Sequence, residues 1–330
     1  MDSPQAKSSQ PESQKAPELP PDPTYGYTLE TLLEVQAPEA PAGFSDRWRG
    51  WFKKATQLDP RPVIHDTGRV RSDWKIFEIN YRSTDEVLIT GWLLVPKSGG
   101  AKRGFVVGHG YGGCPGPESH LPFPDAAILF PCARGISKSK HPNIPSQAND
   151  HVLHRIHTAE RYVLRGCSED TWLGVSSLLQ LFPQLEGHIG YLGISFSGGV
   201  GTLALPWDHR IQRAHVNVPS FGNQALRLTL PSIGSAESVR EFEKKDPGVA
   251  LNTLRWFDAA SAARHIEIPM HFACALADPA VAPPGQFSIH NAKPGEKKLY
   301  VLEAGHMDYP NQAQEETELL QELETFFAHM

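Results

Sequence analysis

Two serines stand in HIGYLGISFSGGVGTLAL, residues 188–205, where a short apolar run gives way to small residues and then to a helix-like stretch. A serine hydroxyl at such a strand–turn–helix junction is a nucleophile if the turn projects it clear of the sheet. The positions two residues either side must then be small, because strand and helix nearly touch there. Ser195 has Gly193 before it and Ser197 after it. Ser197 has Gly199 after it and Ser195 before it. Each serine departs from the G-x-S-x-G pattern once, and the motif alone leaves both registers open.

The rest of the chain supplies what a nucleophilic hydroxyl requires: a base for its proton and a carboxylate to orient that base. Nucleophile, acid and histidine follow in this order in the α/β-hydrolase arrangement, each at the C-terminal end of a strand. MHFACALAD puts Asp278 just past one apolar run, and KLYVLEAGH puts His306 just past the next. Other acids compete less well. Asp208 lies beyond the helix that follows the serine, Asp258 precedes a helix-like AASAARHI, and Asp308 sits two residues past His306. Ester hydrolysis also needs donors for the developing oxyanion, and backbone amides serve. One is expected from Phe196, the residue after the serine, and one from Tyr111 in HGYGG, which follows an early strand. GHGYGG formally matches a dinucleotide-binding G-x-G-x-x-G, but that site wants an acidic residue ending the next strand, and AILFPCARG offers Cys132. HVLHRIH carries histidines at a spacing of three without a fourth ligand or carboxylate support, and reads as a polar surface rather than a metal site. No metal or organic cofactor is expected.

These residues need a framework. Thr28 to Val35 reads as helix, and GFSDRWRGWFKKATQL puts Phe44, Trp48, Trp51, Phe52 and Ala55 on one helical face. KIFEINY alternates Phe77, Ile79 and Tyr81, and with VLITGWLLVP forms a hairpin-like pair. GFVVGHG, AILFPCARG, IGYLGIS, AHVNVPS, MHFACALAD and KLYVLEAGH are short buried strands, interleaved with helical stretches such as RYVLRGCSEDTWLGVSSLLQLF. That alternation implies a doubly wound, mostly parallel sheet. The C-terminal helix should bury Leu319, Leu320, Leu323, Phe326 and Phe327. The long connection after AHVNVPS is expected to hold a cap insertion at about 222–257. Residues 25–330 then form a single domain, behind a disordered Pro/Ser-rich tail over residues 1–24.

Bulk properties narrow the partners. A formal charge of −6 gives no reason to expect nucleic acid, and no apolar run is long enough to span a bilayer. Cys114, Cys132, Cys167 and Cys274 are widely spaced and read as buried free thiols. The tail lacks the apolar core of a signal peptide, so the default location is cytoplasmic, with secretion open if a leader has been removed.

Taken together, these motifs resemble the acetyl xylan esterases and cephalosporin-C deacetylases, carbohydrate esterase family seven of the α/β-hydrolases. The resemblance runs from about Tyr27 to the C-terminus. It is carried by GWLLVPK, HGYGG, ARG at 133–135, YVLRG at 162–166, the serine cluster, WFDAASAARHIEIP, ALADPAVAPP and the Gly305–His306 pair. In that family the nucleophile sits in G-x-S-Q-G-G, and its spacing to the following D-x-R-I selects Ser195. The resemblance implies a triad of Ser195, Asp278 and His306, oxyanion amides at Tyr111 and Phe196, a small acyl group such as acetyl on a sugar or similar alcohol, and a homo-oligomer, a hexamer by family pattern. This chain departs from the pattern at Phe196 (usually Gln), Ser197 (Gly), Cys132 (Asp) and Ile136–Ser137 (Gln-Gly), which is expected to weaken the supporting shell and alter substrate range. Competing expectations are a broad carboxylesterase or peptidase on the same fold, and a weakly active or non-catalytic relative.

Overall fold

The computed structural model describes Pro20, residues 22–118 and residues 120–330. The disordered tail expected over residues 1–24 therefore lies mostly outside the described residues. Within it, Asp22 to Thr24 are placed, with Asp22 accepting from the Thr24 amide at 2.9 Å.

Among the described residues, nine strands form one sheet: β1 (Val63–Arg71), β2 (Trp74–Arg82), β3 (Leu88–Pro96), β4 (Arg103–Gly108), β5 (Ala126–Pro131), β6 (Ile189–Ile194), β7 (Ile211–Asn217), β8 (Met270–Ala277) and β9 (Lys297–Ala304). Their order is β1-β2-β3-β5-β4-β6-β7-β8-β9. The first three strands and the β3/β5 pair run antiparallel. Every pairing from β5 through β9 is parallel. Continuous apolar sequence explains the parallel part: β4, β5, β6 and β8 are buried along most of their length, as strands covered on both faces must be.

The helices are α1 (Leu29–Leu33), α2 (Phe44–Ala55), α3 (Ala148–His151), α4 (Val163–Leu181), α5 (Phe196–Ala204), α6 (Gln224–Arg227), α7 (Ser235–Lys245), α8 (Val249–Leu254), α9 (Ala259–Ala263), α10 (Pro283–Ala292) and α11 (Gln312–Phe327). Buried apolar side chains form two clusters. One gathers α2, α4, α5 and α9, and the other gathers α11 with Trp74, Ile76, Trp92 and Phe105. β2 serves both, because alternate side chains point to opposite faces: Trp74 and Ile76 belong to one cluster, Ile79 and Tyr81 to the other. Phe77 is only half-buried.

The N-terminal helix α2 docks its aromatic face as its spacing predicts. Phe44, Trp48, Trp51 and Ala55 are buried, and Phe52 is partly so. Trp48 meets Trp51 edge-on at 5.0 Å and Phe257 at 5.4 Å, and its indole N–H donates to the Trp256 carbonyl at 2.9 Å. In α11, Leu319, Leu323, Phe326 and Phe327 are buried, while Leu320 is half-buried. The four cysteines are buried and unpaired. The long β7–β8 connection contains α6, α7, α8 and α9.

Two features were not legible in the sequence. β1 is exposed along nearly its whole length and bulges between Asp66 and Arg69, so VIHDTGRVR carries no alternation to read. The second is a buried ion pair that ties three elements together. Arg134, past β5, grips Asp170 of α4 through Nε at 2.9 Å and Nη2 at 2.7 Å. Arg134 also donates to Ser83 and Thr84, past β2, at 3.2 and 3.0 Å. Both side chains are 4% exposed.

Breaking such a pair from one side leaves an uncompensated buried charge. Asp170→Asn is expected to destabilise the fold by about 3–5 kcal/mol. Urea unfolding monitored by fluorescence checks this, and a loss below about 1 kcal/mol would contradict the role given to the pair.

Candidate active site

β6 ends at Ile194, and α5 begins at Phe196. Ser195 alone makes the turn, at φ 51° and ψ −110°. A non-glycine residue there is strained, and the surrounding backbone holds it. The Ser195 amide donates to the Asn217 carbonyl at 2.8 Å, and the Ser195 carbonyl accepts from Ser220 at 3.0 Å and Gly199 at 3.1 Å. The reversal is so tight that a Cβ on Gly193 would lie 2.5 Å from the Ser197 carbonyl oxygen. Ser197 occupies the first turn of α5 and is buried, with its hydroxyl donating to the His109 carbonyl at 2.6 Å. The two serines are thus separated by geometry: Ser195 is at the turn and partly accessible, while Ser197 is committed to packing.

His306 Nε2 lies 2.8 Å from Ser195 Oγ, and His306 Nδ1 lies 2.8 Å from Asp278 Oδ2. All three follow the C-terminal ends of strands, β6, β8 and β9. Asp278 is fully buried, and its charge is met on every side. Oδ1 accepts from the amides of Ala280 and Val281, each at 2.9 Å. Oδ2 accepts from Gln286 Nε2 at 3.0 Å as well as from the imidazole. The Asp278 amide donates to the carbonyl of Pro23, so the N-terminal segment also holds the acid loop. Gly305 permits the approach of His306, since a Cβ there would fall 2.5 Å from Asp278 Oδ2. With the carboxylate accepting at Nδ1, Nε2 of the neutral ring presents its lone pair to Ser195. Burial pulls the imidazolium down, but the hydrogen bond and the charge of Asp278 outweigh it, and His306 titrates above the ordinary histidine value.

The competing acids are engaged elsewhere. Asp208 pairs with Arg210 at 2.7 and 2.6 Å, Asp258 caps α9 through the amides of Ala260 and Ser261, and Asp308 is exposed.

Tyr111 lies in the HGYGG loop past β4, and Gly110 of that loop comes to Ser195: a Cβ on it would be 3.7 Å from Ser195 Cβ. The Phe196 amide opens α5 beside the serine. Among the described residues, neither the Tyr111 nor the Phe196 amide donates to a protein acceptor. Their rings pack against each other at 4.3 Å, tilted by 36°. The loop itself is fixed by side chains. His109 Nε2 accepts from the Ala133 amide at 2.9 Å, so its proton sits on Nδ1 and is donated to the Gly110 carbonyl at 2.6 Å.

Two of the positions where the family pattern is broken meet in the same loop. Ser137, at φ 50°, accepts from the Cys114 amide at 3.0 Å, and Cys132 Sγ lies 3.8 Å from the Cys114 carbonyl. The altered residues supply ties of their own. The expectation that HVLHRIH is a polar surface fails at its first member: His151 is wholly buried, His154 half-buried, and only His157 exposed. Sequence reasoning also missed Gln286, whose amide bridges Asp278, the Val281 carbonyl at 2.7 Å and the Ala275 amide at 2.9 Å. Its place eight residues past the acid, one helix on, was the available signal.

The chain matches the family model described as acetyl xylan esterase (AXE1) over residues 26–323. Solved structures agree in fold. Acetyl xylan esterase 1 from a Thermoanaerobacterium species superposes with a TM-score of 0.76 at 17% identity, covering 90% of this chain and 99% of that one. An acetyl xylan esterase from a Paenibacillus species gives 0.78 at 19% identity, with the same coverage. The acylaminoacyl peptidase of Pyrococcus horikoshii gives 0.59 at 16% identity, covering 78% of this chain and 41% of that one. With a mixed sheet of this order and a serine at its sharp turn, the chain belongs to the acetyl xylan esterase family and is a carboxylic ester hydrolase of the α/β-hydrolase fold.

Proposed function

We propose that the protein hydrolyses small acyl esters, acetyl esters of sugars above all, through an acyl-enzyme on Ser195. The observation that carries this reading is the unbroken chain Ser195 Oγ–His306 Nε2, His306 Nδ1–Asp278 Oδ2, with both distances 2.8 Å. His306 takes the hydroxyl proton as Oγ bonds to the acyl carbon, and Asp278 stabilises the resulting imidazolium. The carbonyl oxygen becomes an oxyanion that accepts from the amides of Tyr111 and Phe196. Collapse breaks the bond to the alcohol, which leaves with the proton from His306. Water then gives a proton to His306 and attacks the acyl carbon, and as the second oxyanion collapses His306 returns that proton to Ser195 Oγ, freeing the acid. These steps balance in protons and charge with the chain's own residues.

The closely packed rings of Tyr111 and Phe196, tilted by 36° at 4.3 Å on the residues read as oxyanion donors, support a short acyl group. The helices of residues 222–257 act as a cap in this reading. Support comes from Arg227 of α6, which lies 5.2 Å over the ring of Phe221, itself edge-on to Phe196 at 6.0 Å. Family resemblance supports a homo-oligomer, a hexamer by pattern, which light scattering tests. Among the described residues no helix is long and apolar enough to cross a membrane. Four unpaired buried thiols support a reducing, cytoplasmic setting.

Ser195→Ala is expected to lower kcat by about 10⁴-fold or more. A serine-directed organophosphate should label Ser195 and leave Ser197 unmodified, as peptide mass spectrometry reads directly. Label on Ser197 alone would overturn the assignment. Acetyl esters should be preferred to octanoyl esters by at least about tenfold in kcat/KM, and a flat chain-length profile would favour a broad carboxylesterase.

The pH dependence has a definite sign. Only neutral His306 accepts the serine proton, and its raised pKa keeps the imidazolium populated to higher pH. Activity is therefore lost as pH falls through a single ionisation whose midpoint lies above the ordinary value of about 6.5. Asp278→Asn removes what holds the value up, so the midpoint should move down while kcat drops by about 10⁴-fold. A wild-type midpoint clearly below 6 contradicts the geometry.

A further inference from the structure

The buried histidine of HVLHRIH has no part in the proton transfers, yet its two ring nitrogens bridge two parts of the site. His151 Nε2 lies 2.9 Å from the Arg134 carbonyl, and His151 Nδ1 lies 3.2 Å from the Tyr111 hydroxyl. A carbonyl only accepts, so Nε2 carries the proton and Nδ1 is the acceptor for the tyrosine O–H. The ring is also packed. Tyr111 meets it edge-on at 5.5 Å and Phe196 at 5.7 Å, while the Tyr111 and Phe196 rings pack against each other, tilted by 36°, at 4.3 Å. Three rings thus form one closed set. Two of them belong to the residues whose amides face the reacting carbonyl, and the third is tied to the backbone of Arg134. Arg134 is itself locked by its two-pronged grip on Asp170.

We infer that His151 is a positioning residue for the oxyanion donors, fixing the Tyr111 and Phe196 amides by hydrogen-bonding the Tyr111 hydroxyl and bracing both aromatic rings against the Arg134 backbone. This rests on the reading of those two amides as oxyanion donors. Tyr111 sits in a loop, and a loop amide keeps its aim only if its side chain is held. Phe196, at the position of a glutamine in the family pattern, offers a flat ring that Tyr111 and His151 can pack against. Burial supports the arrangement by lowering the His151 pKa to about 4, so the ring stays neutral, with one donor and one acceptor, wherever His306 is active.

The test is a mutant cycle on the full chain: His151→Phe, which keeps a ring and removes both hydrogen bonds; Tyr111→Phe, which removes only the hydroxyl; the double variant; and His151→Gln, which retains a donor and an acceptor. Thermal melting confirms folding. kcat and KM are read with 4-nitrophenyl acetate. Affinity for phenylboronic acid, whose tetrahedral serine adduct places an oxygen among the oxyanion donors, is read in parallel. His151→Phe and Tyr111→Phe should each lower kcat by about 10- to 100-fold, the scale of a small misplacement at a reacting centre. KM should be little changed, boronate affinity should fall by a similar factor, and the double variant should be no worse than the poorer single. His151→Gln should recover part of the loss, and it carries the cycle with Tyr111→Phe if His151→Phe does not fold. A folded His151 variant with wild-type kcat and boronate affinity, or losses that multiply in the double, overturns the inference while leaving the esterase reading intact. A wild-type chain inert towards every ester overturns the esterase reading and the inference with it.

Discussion

Ser195 is held at a backbone conformation that costs roughly 1–3 kcal/mol, and much of the architecture around it exists to keep it there. The turn reverses the chain from β6 into α5 within one residue, which throws the hydroxyl clear of the sheet and puts the Phe196 amide at the start of α5. Any relaxation of φ would swing both away together. The restraint is distributed. β7 supplies the carbonyl that takes the Ser195 amide, the segment after β7 supplies the Ser220 amide, and Tyr191 hydrogen-bonds the Ser197 carbonyl at 2.7 Å from below. His306 is also a non-glycine residue at positive φ, 51°. Ser195 and His306 are both fixed by tight turns at the end of the sheet, not by free side-chain rotation.

The site also shows how buried charge is managed. Asp278 and Asp170 are both almost without solvent, yet each has its oxygens engaged by amides, hydroxyls or a guanidinium. For Asp278 the partners include two backbone amides and Gln286, so the carboxylate is oriented before the imidazole bonds to it. For Asp170 the partner is a full opposite charge, and the pair acts as a rivet between the sheet and α4. The first arrangement leaves one carboxylate oxygen free to accept from the His306 imidazole. The second is saturated and purely structural.

The sequence made legible whatever depends on local periodicity or on position along a strand. The buried strands, the aromatic face of α2, and the placement of Asp278 and His306 at strand ends all follow from residues close together in the chain. The choice between Ser195 and Ser197 needed the family spacing, because small residues on both sides satisfied the turn in either register. What was hidden depends on distant groups meeting. β1 is an edge strand exposed on both faces, so no burial pattern marks it. Arg134 finds Asp170 across 36 residues, and His151 finds Tyr111 across 40. A histidine triplet in HVLHRIH looks solvated unless one knows that the loop past β5 passes over its first ring.

The N-terminal segment ties the two ends of the chain together in time as well as space. Pro23 reaches Asp278, Trp48 reaches Trp256, and the Leu32 and Val35 carbonyls take the side chain of Asn291. None of these partners exists until most of the polypeptide has been made. At about 5–20 residues per second, the aromatic face of α2 leaves the ribosome roughly 10–40 s before the residues that cover it. A nascent chain must therefore carry an adhesive tryptophan-rich surface through most of its own synthesis. The loop that holds Asp278 is among the last pieces to close, so the Ser195–His306–Asp278 arrangement forms only after the nascent chain has passed its period of greatest exposure to aggregation.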